Sequence, residues 1–187
     1  LFALPEVAMP AQFGARIQVM GGVAPAFADC SISARPDSVT MWYANRRLGL
    51  GLSDYDELDP AHVIGSLTDG MLFLFESSAA STPPAAEATG AGLRTWFDQA
   101  GILIGRPSPG SDCRLGVALK GGHNNEHHNH NDLGSYVVVV DDEPVLLDPG
   151  AEVYTARTFS SRRYESNLLN SFGHPVPVVA GQLQPAG

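Results

Sequence analysis

Four consecutive valines restrict the fold of this chain more than any other feature of its sequence. Residues Tyr136–Val140 read Tyr-Val-Val-Val-Val, and a second apolar segment at residues 144–147 follows the acidic stretch Asp141-Asp142-Glu143. Because β-branched side chains restrict χ1 and pack well on a pleated surface, such a run favours a β-strand. Two strand-like segments on either side of a short acidic turn predict a β-hairpin.

The rest of the second half of the chain has the same character. Short apolar segments at residues 96–97, 101–105 and 115–119 are separated by Gly, Pro and Asp. Regular short strands joined by turns are typical of all-β sandwiches. Residues 86–187 are therefore predicted to form an antiparallel β-sandwich domain in a mainly β chain.

Residues 1–85 are predicted to be helical or irregular. Asp37-Ser38 is a suitable cap for a helix that runs to about Arg47, and Asp59-Pro60 is a suitable start for another short helix. Residues 70–75 form an apolar run that is too short for a typical helix and favours a buried strand. Residues 77–92 are mostly small and include two prolines, which predicts a linker or a long surface loop.

Charge and hydropathy argue against two classes of partner. The 187 residues contain 11 Lys and Arg against 20 Asp and Glu, a net charge of −9, whereas a protein that binds duplex nucleic acid needs a positive surface. No apolar run approaches the roughly 20 residues of a membrane-spanning helix. The one notable basic cluster, Arg157, Arg162 and Arg163, still allows a local site for an anion.

The cysteines and the start of the chain add two further expectations. Cys30 and Cys113 permit at most one disulfide, and free thiols are the alternative. The chain starts with Leu1-Phe2 and lacks both an initiating Met and the basic segment of a signal peptide. We therefore expect it to be a piece of a longer protein.

Four of the six histidines lie between Gly121 and Asp132. Imidazole binds metal ions and exchanges protons near neutral pH, so this segment is a candidate for a metal site or for acid–base catalysis. An incidental surface loop is the alternative. Because alternate residues of an extended segment point to the same side, His128 and His130 are expected to share one face.

Asp148 follows the predicted hairpin and is the candidate carboxylate for this site. In a strictly regular hairpin it would lie opposite Tyr136, so residues 128–134 are expected to fold back, with a bulge at Gly134. Two histidines and one carboxylate would leave open positions for water, as expected of zinc or a similar divalent ion. His174 is a further histidine that could complete the set.

The histidine segment and the residues after the hairpin resemble the heparinase II/III family of polysaccharide lyases. The most specific feature is the motif His128-Asn-His-Asn-Asp132, in which His130 is followed eighteen residues later by Asp148-Pro-Gly150. The same pattern is matched by Gly121-Gly122-His123, Leu133-Gly134-Ser135-Tyr136, Glu143, Tyr154, Arg163-Tyr164 and Ser171-Phe172-Gly173-His174. The resemblance covers residues 93–181 and extends more weakly to residues 22–29.

This resemblance implies a two-part enzyme, an incomplete α/α toroid followed by antiparallel β-sheets. Residues 1–85 would then be the end of the toroid with loops and a linker. Such lyases cleave uronic-acid-containing glycans by β-elimination, so the implied substrate is an acidic polysaccharide or oligosaccharide, such as a glycosaminoglycan or alginate. A periplasmic or secreted bacterial protein is also implied.

The resemblance assigns roles to individual residues of the second half. It implies that His128 is catalytic. It also implies that His130, Asp148 and His174 bind a structural Zn²⁺, or another divalent cation, beside the cleft. Such an ion would hold the loop in place and would not activate water.

Three further residues, Tyr154, Arg163 and Tyr164, are candidates for contacts with the substrate. Core packing is the alternative for the two tyrosines, and a salt bridge is the alternative for the arginine. The family takes its carboxylate-neutralising Asn and its proton-transferring Tyr from the toroid, and the first 127 residues show no such pair. The chain alone is therefore expected to be incomplete as an enzyme.

Two other functions remain open on the sequence. One is a non-catalytic carbohydrate-binding or structural β-sandwich whose histidines hold a metal ion. The other is a metal-dependent hydrolase, in which the ion would activate water.

Overall fold

A computed structural model of the chain describes residues 6, 10, 12–50, 52, 55–58, 67 and 93–186. The chain divides into two compact units. The first comprises Leu1–Ile17 and Arg35–Gly92, and the second comprises Gln18–Ala34 and Leu93–Gly187.

Several expectations for the first half fall outside the described residues. They are the helix at Asp59-Pro60, the strand at residues 70–75 and the linker at residues 77–92. The boundary expected between residues 85 and 86 also falls there, and it stays a prediction.

The first unit contains a short helix α1, Phe13–Arg16, and a longer helix α2, Ser38–Leu48. The predicted cap of α2 is confirmed, because Oδ1 of Asp37 accepts a hydrogen bond from the Thr40 amide at 2.7 Å. The helix ends at Gly49, whose φ of 61° lies in the left-handed region that glycine adopts without strain. Its buried residues are Val39, Met41, Trp42, Ala44 and Asn45.

The second unit contains an antiparallel sheet whose five strands follow one another in chain order. The strands are β1, Arg94–Phe97; β2, Ile102–Gly105; β3, Leu115–Lys120; β4, Tyr136–Val140; and β5, Glu143–Leu146. The predicted fold class, mainly β with an antiparallel sheet after a short helical segment, is confirmed.

The pairing register explains which residues form the core of the sheet. Thr95, Ile104, Ala118 and Val137 stand side by side across β1 to β4, and all four are buried. The neighbouring row on the opposite face is Trp96, Leu103, Leu119 and Tyr136, and of these the first, third and fourth are exposed. The period-two alternation of a strand therefore separates a buried face from a more exposed one.

The buried face of the sheet packs against residues 18–34, which belong to the same unit. A Cβ atom on Gly116 would lie 2.7 Å from Cγ1 of Val19, so the close approach of this segment requires glycine in β3. Val19, Val23, Ala26 and Phe27 are all buried. This packing brings Asp29, at the end of the segment, to the histidine-rich loop that leaves β3.

The β4–β5 hairpin is present as predicted, with Asp141 and Asp142 in the turn at φ values of 50° and 66°. The bulge expected at Gly134 is confirmed. The Gly134 amide donates to the Lys120 carbonyl at 2.8 Å while the Lys120 amide donates to the Ser135 carbonyl at 2.9 Å, so two residues lie opposite one. A second irregularity of the sheet lies between Val138 and Val139. Gly134 also lies in a turn in which the Ser135 amide donates to the Asp132 carbonyl. Its φ of 83° favours glycine there.

Both cysteines, Cys30 and Cys113, are free thiols. In the part of the chain that the structure describes, no helix combines the length and the apolar character needed to cross a membrane.

Candidate functional site: a buried histidine–carboxylate cluster beside a cleft

The histidine-rich segment turns inward between His128 and Asp132. His128 has a φ of 58°, so the segment is not extended at this point. The side chain of His128 is 61% exposed, whereas His130 is fully buried. The two rings therefore do not share one face as expected from an extended strand, although both reach the same carboxylate, that of Asp29.

His130 and His174 form a buried pair of imidazoles, with ring centroids 5.2 Å apart. Nε2 of His130 lies 2.7 Å from Asp29, and Nδ1 of His174 lies 2.9 Å from Asp148. The second nitrogen of each ring, Nδ1 of His130 and Nε2 of His174, is buried and has no hydrogen-bond partner among the described residues.

Two unpartnered imidazole nitrogens in one buried place fit a metal ion. Buried polar atoms almost always have a partner, and a histidine that binds a metal usually gives its other nitrogen to a carboxylate. One potential ligand atom from each of His130, Asp132 and His174 lies within 4.8 Å of the others. This group could hold a metal ion.

Asp148 and Asp132 are both fully buried, but they have different partners. Asp148 accepts hydrogen bonds from His174, from the Ser135 hydroxyl and from the Gly150 amide. Asp132 accepts from Nζ of Lys120 at 2.5 Å and from the Ala28 amide at 3.2 Å. Asp148 therefore bonds the His174 ring directly. Asp132 forms an ion pair with Lys120 and lies near the rings of both His130 and His174.

The pKa shifts in this cluster favour an uncharged His130 ring and a charged Asp148 carboxylate. Burial lowers the pKa of His130, and the hydrogen bond to Asp29 opposes this only in part. Burial alone would raise the pKa of the Asp148 carboxyl, but the hydrogen bonds from His174 and Ser135 outweigh it and hold that pKa below its ordinary value.

Asp29 is the functional residue that the sequence did not single out. Its carboxylate meets Nδ1 of His128 at 2.8 Å, Nε2 of His130 at 2.7 Å, the Tyr154 hydroxyl and Nη2 of Arg163 at 3.4 Å. Hydrogen bonds from Tyr154 and the two histidines overcome the effect of burial and lower the pKa of this carboxyl. In the sequence, Asp29 is indicated only by the weak family resemblance of residues 22–29.

A cleft of about 390 Å³ opens beside His128. It is lined by Glu126, His127, His128, Asn129, Thr158, Phe159, Ser160, Arg163 and Tyr164. Phe159 is 67% exposed, and its ring meets that of Tyr154 edge to face at a centroid distance of 5.0 Å. An exposed aromatic ring beside an acid–base side chain suits a ligand with both apolar and polar faces.

Of the three residues proposed from the sequence to bind substrate, Arg163 and Tyr164 line this cleft, and Tyr154 lies beside it, against Phe159. Tyr154 is exposed and bonds Asp29, while the Tyr164 hydroxyl accepts from Nδ2 of Asn129 at 3.2 Å. Arg163 directs its guanidinium to the carbonyls of Asn129 and Thr158 at 2.8–3.1 Å. All three therefore also hold neighbouring parts of the site in place.

The loop that carries Phe159 and Arg163 is fastened by Glu152. The carboxylate of Glu152 accepts from Nη2 of Arg157 at 2.8 Å, from the Thr158 hydroxyl at 2.9 Å and from the Ser166 hydroxyl at 2.6 Å. One side chain thus connects the beginning, the middle and the end of this loop.

The fold of the chain is similar to part of heparinase III. Two solved structures of heparinase III, one of them with methylated lysines, match with TM-scores of 0.53 and 0.51 at 17% sequence identity. Each match covers 90% of this chain and 22% of the heparinase III chain, so this chain spans about a fifth of that protein's length. No family model matches the sequence, and no curated protein matches it.

The hydrogen bonds to Glu152 make the stability of the second unit pH-dependent. Burial alone would raise the pKa of Glu152, but its bonds with Ser166, Thr158 and Arg157 lower it below 4.5. A lowered pKa contributes stability above the ordinary value, and that stability is lost as the pH falls through the lowered value. We expect Glu152→Gln to destabilise the protein by about 2 kcal/mol at pH 7, and we expect this difference to shrink below pH 4.

Urea denaturation of the wild-type protein and the variant at both pH values measures this difference. Glu165→Gln is the matched control, because Glu165 forms its ion pair with the exposed Arg162 and has a 53% exposed side chain. An equal effect of the two substitutions at pH 7 would show that Glu152 does not fasten the loop.

Proposed function

We propose that this chain is the metal-bearing part of a polysaccharide lyase that cleaves uronic-acid-containing glycans by β-elimination. The observation that carries the proposal is the position of His128 at the cleft, two residues before His130 of the buried histidine–carboxylate cluster. A fold similar to that of heparinase III supports the same assignment. The proposed substrate is an acidic polysaccharide or oligosaccharide, and the proposed location is the periplasm or the cell exterior of a bacterium.

The chemistry of elimination explains why such groups are needed at the cleft. The C5 proton of a uronate is weakly acidic while the adjacent carboxylate carries its charge, so that charge must be neutralised as the enolate-like intermediate forms. A base removes the proton, and an acid protonates the departing O4 oxygen. In this chain, His128 is proposed to transfer a proton at the cleft.

The surrounding residues are proposed to hold the sugar against His128. Arg163 and Tyr164 are proposed to contact the substrate from the wall of the cleft, and Tyr154 is proposed to contact it from beside that wall. The group that neutralises the uronate carboxylate is proposed to come from a toroid portion of the same protein. On this proposal the whole protein, and not this chain alone, carries the activity.

The proposed metal ion is a structural Zn²⁺ held by Nδ1 of His130 and Nε2 of His174. The sequence resemblance proposes Asp148 as the carboxylate ligand, and the geometry offers Asp132 as a second candidate. Asp148 bonds Nδ1 of His174, on the opposite side of the ring from Nε2, so we propose Asp132 as the carboxylate ligand and Asp148 as the partner that orients His174. A bound ion would supply a fixed positive charge and would keep the histidine segment folded.

Substitution of His128 tests the proposed reaction. In the full-length protein we expect His128→Ala to lower the rate of elimination by about 10²- to 10⁴-fold, because a positioned proton-transfer group contributes that much. The ultraviolet absorbance of the unsaturated uronate product measures the rate. Bound metal and thermal stability should stay unchanged.

His123→Ala is the control for this experiment, since His123 is exposed in the same segment and its contact is with the Asn125 amide. Sugar cleavage without an unsaturated product would point to hydrolysis. Binding of glycans without any cleavage by the wild-type protein would point to a carbohydrate-binding module.

Substitution of Asp148 tests the proposed ion. Whether Asp148 binds the ion directly or only supports His174, we expect Asp148→Ala to weaken metal affinity at least about tenfold. Elemental analysis and the melting temperature measure the loss, because metal binding adds to the free energy of unfolding. A comparison with Asp132→Asn identifies which carboxylate matters more. A melting temperature that is the same with and without a chelator would contradict the metal assignment.

A further inference from the structure

Asp29 contacts two histidines at once, and this restricts where each ring carries its proton. Its Oδ2 atom lies 2.8 Å from Nδ1 of His128, and its Oδ1 atom lies 2.7 Å from Nε2 of His130. An aspartate is ionised at neutral pH, and an ionised carboxylate has acceptors only. The hydrogen in each contact must therefore come from the imidazole.

We propose that Asp29 is a positioning residue that fixes the tautomers of both histidines, with the hydrogen on Nδ1 of His128 and on Nε2 of His130. A neutral imidazole has one N–H group and one lone pair. The lone pair of His128 then lies on Nε2, at the edge of the ring away from Asp29. The lone pair of His130 lies on Nδ1, the buried atom that lacks a partner among the residues described.

Tyr154 raises a rival assignment, since its hydroxyl lies 3.1 Å from Nδ1 of His128. In the rival, the hydroxyl donates to Nδ1, and Nδ1 carries the lone pair. That lone pair would face a carboxylate oxygen at 2.8 Å, and two acceptors repel at that distance. If the hydroxyl donates to Oδ2 of Asp29 instead, the N–H group of His128 faces two acceptors, that carboxylate oxygen and the hydroxyl oxygen, and no two acceptors are opposed without a hydrogen.

Arg163 holds the carboxylate and the histidine backbone in one arrangement. Its Nη2 atom lies 3.4 Å from Oδ1 of Asp29 and 2.8 Å from the carbonyl oxygen of Asn129. Asn129 is the residue between the two histidines. The guanidinium therefore fixes the distance between Asp29 and the segment whose rings it orients.

The Asp29 carboxylate thus orients one histidine at the cleft and one in the buried cluster. At His128 it leaves a lone pair at the cleft, and at His130 it leaves a lone pair in the buried cluster. This role rests on the proposed function for what the two lone pairs bind, a sugar proton and a metal ion. The tautomers themselves depend only on the contacts of Asp29.

Nuclear magnetic resonance of the purified protein with ¹⁵N-labelled histidine tests the tautomers directly. The spectra are recorded at about pH 8. Long-range proton–nitrogen correlations distinguish the protonated from the unprotonated nitrogen. We expect Nδ1–H for His128 and Nε2–H for His130. The opposite tautomer at either ring would overturn the proposal.

Asp29→Asn provides the second arm of the test. The carboxamide has the shape of the carboxylate, but one of its two arms donates, so at least one histidine must change tautomer or lose its bond. We expect a changed nitrogen spectrum for His128 or His130. We also expect zinc affinity to fall about 10- to 100-fold, as for other partners of metal-binding histidines. A nitrogen spectrum that is unchanged for both rings in a folded variant would overturn the proposal.

The control is Asp98→Asn, since Asp98 accepts a hydrogen bond from Trp96 at an exposed position. It should leave both histidine spectra and the zinc affinity unchanged. If Asp29→Asn does not fold, the wild-type tautomers still decide the question. If the tautomers are as expected but the full-length protein forms no unsaturated product, the lyase assignment is wrong and the role of Asp29 stands. If the protein is an active lyase but the tautomers are the opposite, only the role of Asp29 is wrong.

Discussion

The site depends on three carboxylates, two fully buried and one largely buried, each of which accepts hydrogen bonds that join distant parts of the second unit. Asp29 joins residues 18–34 to the histidine segment and to Arg163. Asp132 joins the same segment to β3 through Lys120. Asp148 joins the end of the hairpin to His174. Because an unpaired buried charge is costly, each carboxylate fixes its partners as well as itself.

Local sequence patterns were sufficient to predict the sheet and its hairpin. The valine run and the acidic turn are contiguous, so steric preference and turn chemistry act within a few residues. The helix cap at Asp37 is local in the same sense, since its partner amide is three residues away. The described part of the fold that depends on such short-range signals agrees with the sequence.

The contacts that assemble the site are long-range, and periodicity carries no information about them. Asp29 and His128 are 99 residues apart, and no spacing rule connects a carboxylate in a Gly- and Ala-rich loop with a histidine after β3. The left-handed backbone of His128 also breaks the period-two pattern on which a shared face was expected. The family resemblance brought His128, His130, Asp148 and His174 to attention together, but it left their hydrogen-bond partners undetermined.

The two imidazole nitrogens that lack a partner among the described residues affect the stability of the second unit as well as its proposed metal site. The histidine segment buries four consecutive polar residues, Asn129, His130, Asn131 and Asp132. A buried polar atom without a partner costs about 1–3 kcal/mol, so Nδ1 of His130 and Nε2 of His174 together disfavour this arrangement in the absence of a ligand. A cation bound by both nitrogens would remove that cost and would stabilise the loop that presents His128. On this argument, the proposed ion would stabilise the cleft wall, and the proposed proton transfer would be left to His128.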